Sequence, residues 1–135
     1  MDVGTTTADR IVNVGNAADL YALYSTAVSI LGSHARKVYL GLSFLECGCC
    51  NYRDCAKTAR QLLKIRDELA MHAPSDAVWD IEHPAIPAPW SGDLAPDITS
   101  CADLFTTSEG ELLLPELIAL LRYAESVKQD VIVLG

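Results

Sequence analysis

No apolar run in the 135 residues approaches the 18 or so that a membrane span requires. Residues 1–10 carry no basic stretch followed by an apolar core, so no secretory signal is visible, and a cytoplasmic setting with reduced thiols is expected. Cations are scarce: ten Lys plus Arg stand against 18 Asp plus Glu, a formal net charge of −8. Contacts to a phosphate backbone or to anionic lipid need cations, so neither nucleic acid nor a membrane is an expected partner, and a cationic one is favoured. The catalytic signatures are missing too. There is no Gly-x-Ser-x-Gly elbow, no Walker loop, no dinucleotide-binding glycine fingerprint and no His-Glu-x-x-His. No catalytic residue or cofactor is therefore assigned, and the chain is expected not to be an enzyme. Internal repeats and low-complexity tracts are absent, and an odd number of cysteines, five, disfavours a closed disulfide framework.

What is present is one domain, residues 1–135, half of it apolar and able to bury a core of its own. Arg10 to Val14 reads as a short strand closed by Gly15-Asn16. Asn16 suits a helix N-cap, with Asp19 at the third helical position near the positive end of the dipole. Leu20, Tyr24, Ala27 and Leu31 then form an apolar stripe, and Gly32 is a stop. Val38 to Leu45 alternates and contains Gly41, which favours a strand. Tyr52 to His72 reads as a helix, with Cys55, Ala59, Leu62 and Leu69 on one side and Arg53, Lys57, Arg60 and Lys64 on another. Ala77 to Glu82 alternates as a strand should, and four prolines then interrupt regular structure. A short extended piece is expected over Leu104 to Thr107. A last helix starts near Leu114, with Pro115 in its first turn, and ends near Lys128. Val131 to Leu134 has the apolar composition of a strand buried on both faces. The sum is a single-domain α+β layered sandwich, three helices packed on a small sheet of three to five short strands.

Three features invite a chemical reading. Cys47-Gly48-Cys49-Cys50 with Cys55 could hold zinc or iron, but there is no second knuckle, and Cys55 falls on the apolar stripe. A cysteine-rich turn capping a helix is the simpler expectation, with a metal-binding or redox-responsive regulator as the alternative. Asp80 and Glu82 would lie about 6.8 Å apart on one strand face, a spacing that suits acid–base pairs but also ordinary surface acids. Trp79 shares its face with Ala77 and Ile81 and is assigned to the core, whereas Trp90 lies among prolines. The charge distribution says more. From Asp67 to Leu121 there are eleven acidic residues and no Lys or Arg, while five of the cations fall between Arg53 and Arg66. Such polarisation either serves solubility or builds an electronegative face for a basic protein.

Several segments occur in a telling order: Ala77-Val78-Trp79-Asp80-Ile81-Glu82, Pro89-Trp90-Ser91-Gly92-Asp93, Pro96-Asp97-Ile98-Thr99-Ser100 and Phe105-Thr106-Thr107-Ser108-Glu109-Gly110. This succession resembles the immunity protein 70 family of bacterial polymorphic toxin systems. The likeness covers the carboxyl-terminal half, with the Tyr52–His72 helix also in place, and the amino-terminal third only in outline; the cysteine cluster lies outside it. The resemblance implies a small antidote that binds and occludes the active domain of a cognate toxin. Toxins of such systems often attack nucleic acids through a cationic cleft, which the acidic character would suit. Asp80, Glu82, Asp93, Asp97, Asp103 and Glu109 are then the expected toxin contacts, with Trp90 as an aromatic anchor, over an interface of about 1,200–2,000 Å².

Overall fold

The computed structural model describes residues 1–90 and 92–135, with the side chain of Lys37 also outside the description. Ser91 of the Pro-Trp-Ser-Gly-Asp segment therefore lies outside the described residues. The order of elements is β1 (Asp2–Thr5), β2 (Ile11–Asn13), α1 (Ala17–Leu31), α2 (Leu40–Cys47), α3 (Cys55–Leu69), α4 (Leu113–Val127) and β3 (Val131–Val133). Short 3₁₀ turns sit at Ser33–Lys37, Tyr52–Asp54 and Pro74–Asp76. The α+β class holds, with four α-helices rather than three, and three strands, among the described residues.

The sheet is antiparallel in the order β2-β1-β3, so the chain's first strand is its centre. Val3 pairs with Val12 on one side and with Val133 on the other. β3 is consequently an edge strand rather than one buried on both faces: Val131 is buried, but Val133 is 38% exposed. All three strands pack on α4, which packs along α3, and α1 and α2 complete the helical layer. α4 contributes the most continuous apolar face, burying Leu113, Leu114, Leu117, Ile118, Leu120, Leu121 and Ala124 at helical spacing.

α1 forms as its sequence indicates. The Asn16 side chain accepts from the Asp19 N–H, the Asp19 carboxylate accepts from the Asn16 N–H, and Gly32 closes the helix. The strand expected over Val38 to Leu45 is instead α2. Gly41 is there because the helix lies close against α3: a Cβ at this position would stand 3.2 Å from Gln61 Cβ and 3.3 Å from Ile65 Cδ1. The Gly41 N–H, unpaired in the first helical turn, donates to Gln61 Oε1 at 2.7 Å.

The strand expected over Ala77 to Glu82 is also not formed. The alternation is real, since Ala77, Trp79 and Ile81 pack on the core, but the backbone meets a helix instead of a sheet. Thr26 of α1 accepts from the Val78 N–H at 3.0 Å and donates to its carbonyl at 3.2 Å, while Ser25 Oγ accepts from the Ile81 N–H at 3.0 Å. Both hydroxyl residues are fully buried, so they serve as interior partners for a segment that has no strand beside it. The piece over Leu104 to Thr107 reduces to one bridge, Thr106 with Leu112, around a turn in which the Thr107 N–H donates to the Glu111 carbonyl.

Candidate partner interface

The irregular carboxyl-terminal half is anchored by aromatic rings. Trp79 meets Trp90 edge-to-face at 5.3 Å between centroids, and Trp90 meets Phe105 the same way at 6.0 Å. Trp90 is thus half-buried in a ladder that ties the proline-rich loop to the core, and its remaining surface lines a concavity.

That concavity, of about 260 Å³, is walled by Asp19, Trp90, Phe105, Thr106, Thr107 and Ser108, among others. Thr107 and Ser108 also line an adjoining groove of about 80 Å³ between β2 and the start of α4, where Glu109, Glu111 and Glu116 project. Among the described residues, neither concavity has a Lys or Arg in its lining. The turn that carries them is held by Thr107, whose hydroxyl accepts from the N–H groups of Glu109 and Glu111. The fold thereby sets four carboxylates around one short stretch of backbone.

The seven expected contacts are placed unequally. Trp90 and Glu109 belong to these grooves. Asp80 and Glu82 share a different neighbourhood, close enough to Tyr21 that, after burial, their charges are what raise its phenol above the usual range. Arg36 enters that neighbourhood: it bridges Glu82 at 3.5 Å and Glu46 at 3.9 Å and donates to Tyr24 Oη at 2.8 Å. The stretch without cations in sequence is therefore not without them in space. Asp80 accepts from the Glu82 N–H and faces His83 Nδ1 at 3.3 Å. Its partial burial would raise its carboxyl, but those partners outweigh it and leave it below the usual range. Asp103 accepts from the Thr99 and Ser100 N–H groups and the Thr99 hydroxyl, which likewise outweigh burial and lower it. Asp93 and Asp97 are exposed, and among the described residues no side-chain hydrogen bond or ion pair joins them to either acidic group.

Sequence reasoning left Asp19, Glu111 and Glu116 out of the site. Asp19 was legible as part of a helix cap, but its second position, on the wall of a concavity completed by residues about 90 positions later, has no local signal. Glu111 and Glu116 were visible as charge but not as neighbours of β2.

The cysteines divide by exposure. Cys47 and Cys49 are exposed, Cys50 is half-buried, and Cys55 and Cys101 are buried. Their turn is structural: Gly48 adopts the left-handed conformation that ends α2, and Cys50 bridges Val131, stitching the turn to β3. Cys50 Sγ lies 3.7 Å from Cys55 Sγ and 3.5 Å from Thr58 Oγ1, an arrangement that holds the Cys50 thiol below its usual range. Among the described residues no three His, Cys, Asp or Glu side chains are placed to hold a metal ion.

The chain is thus a small α+β domain with carboxylate-walled grooves on an irregular, aromatic-anchored segment. The family model for immunity protein 70 matches residues 5–133, nearly the whole chain including the amino-terminal third, and the chain belongs to that family of toxin immunity proteins. No curated protein and no solved structure matches it. Among the described residues no helix is long and apolar enough to cross a membrane.

Proposed function

We propose that this chain neutralises a cognate toxin domain by binding it non-covalently and covering it, with the grooves beside Thr107 and Ser108 receiving Arg and Lys side chains of the toxin. The observation that carries this reading is that two concavities sharing Thr107 and Ser108, in a member of an immunity family, are walled by Asp19 and Trp90 in one and by Glu109, Glu111 and Glu116 in the other. Exposed carboxylates steer a basic partner at long range, and the concave walls desolvate the pairs that form. Asp93 and Asp97, exposed outside the groove linings, add to the field. Asp19, which also caps α1, and Asp80, Glu82 and Asp103, already engaged within the fold, contribute mainly to the field. A toxin with a cationic substrate cleft, such as a nuclease or a nucleic-acid deaminase, fits this chemistry, because carboxylates then occupy the place of substrate phosphates. The chain performs no catalytic step, needs no cofactor, and acts in the cytoplasm of the producing bacterium without engaging nucleic acid or membrane itself.

The test is co-expression with the toxin domain encoded beside it. The two should co-elute as a stoichiometric complex in which the toxin is inactive; separate elution with toxin activity intact overturns the proposal. A second reading, redox-responsive regulation, has one observation in its favour, the 3.7 Å approach of the Cys50 and Cys55 sulfurs.

A further inference from the structure

A third concavity is neither acidic nor part of the grooves above. It lies between α3 and α4, encloses about 510 Å³, and is lined by Arg10, Arg66 and Arg122. Half of the chain's six arginines thus converge on one site of a protein with a net charge of −8, and no carboxylate is part of its lining. The floor is apolar, made by Leu63 of α3 and by Pro115, Ile118 and Ala119 of α4. One wall is Tyr123. Its ring lies 5.5 Å beneath the Arg10 guanidinium, and its hydroxyl donates to Asp9 at 2.6 Å, which fixes both side chains. Arg66 has a partial counter-ion in the neighbouring Asp67 at 3.5 Å, both exposed enough for the pair to be weak. Arg122 has no hydrogen-bond or ion-pair partner among the described residues.

We propose that this groove is a second recognition site, for an acidic peptide segment of a partner protein in which carboxylates flank an apolar side chain. Guanidinium forks match carboxylates in a bidentate geometry, and three of them around an apolar floor demand a ligand with both characters. A bare inorganic anion would satisfy the guanidinium groups but leave Leu63 and Ile118 unused. The site is opposite in sign to the grooves beside Thr107, so it does not depend on how the toxin is bound there.

The test is a titration followed by amide NMR, using the acetylated and amidated peptide Glu-Leu-Asp-Leu-Glu-Ile as the probe. Saturable shifts confined to the amides around Leu63–Arg66 and Pro115–Tyr123 are expected. The double variant Arg66→Glu/Arg122→Glu should weaken binding by about tenfold or more, and replacing the peptide's acids by Gln and Asn should do the same. Should the double variant melt early, Arg122→Gln at an exposed position carries the test, with a loss of about threefold or more. Absence of saturable shifts, equal binding of the amide peptide, or the same shifts from inorganic phosphate at lower concentration would each overturn the proposal.

Discussion

Replacing Thr26 by Val tests whether the segment that carries Trp79 is held by α1. Valine keeps the shape and the full burial of the side chain but removes the hydroxyl that accepts from the Val78 N–H at 3.0 Å and donates to its carbonyl at 3.2 Å. Two backbone groups lose a partner inside a part-buried site, and each such loss costs about 1–3 kcal/mol. Val78 is itself only half-buried, so water can reach one of the groups and the total should lie near 2 kcal/mol. With an unfolding entropy near 2 cal/mol/K per residue, that corresponds to a fall in Tm of about 7 °C for this chain length. Urea unfolding should show a lower midpoint with an unchanged slope, and hydrogen exchange should reveal lost protection at the Val78 amide while Ile81, bonded to Ser25, retains most of its own. A neutral Thr26→Val substitution, or equal loss of protection throughout α1, would refute the idea that this hydroxyl is the local anchor.

Two further outcomes follow from the side-chain environments. Alkylation of the native protein should label Cys47, Cys49 and Cys50 first, leaving Cys55 and Cys101 unmodified until unfolding. Mass spectrometry of timed samples checks the order, and early labelling of Cys101, whose thiol burial pushes up to about 11, would contradict the structure. The lowered carboxyl of Asp103 makes its contribution to stability complete above about pH 5 and lost as the pH falls through its folded value, below the usual range near 4. Asp103→Asn should therefore flatten the acid limb of a Tm-against-pH curve and leave its slope above pH 6 unchanged. An unaltered acid limb would show that the Thr99 and Ser100 bonds do not favour the ionised form.

What was legible in the sequence follows from where each element finds its partners. α1 was plain because its cap, Asn16 with Asp19, and its stop, Gly32, are local. α4 was plain because Pro115 fits only a first turn and its leucines repeat at helical spacing. α2 was misread because Gly41 signals weakness within the helix, whereas its reason lies across the interface at Gln61 and Ile65. β1 left little trace: four residues with Gly4 at their centre become a strand only once β2 and β3 flank them, and a Cβ on Gly4 would stand 2.6 Å from the Arg10 carbonyl. The period of Ala77 to Ile81 was read correctly as a buried face but wrongly as a strand, since no local pattern reveals that Ser25 and Thr26 supply its hydrogen bonds. The site behaved likewise. Charge counting located Glu109, but only the fold places Asp19, Glu111 and Glu116 around the same turn and brings Arg36 to Glu82.

The most direct measurement of the central claim is the association rate between this chain and its toxin domain across a range of ionic strength, for the natural sequence and for Glu109→Lys/Glu116→Lys. Both positions line the groove, and neither carries a side-chain hydrogen bond among the described residues, so the variant should fold unchanged. The account predicts a natural rate that falls steeply with salt, and a variant about tenfold or more slower at low salt with a much shallower dependence. Identical rates and identical salt dependence for the two proteins would contradict it.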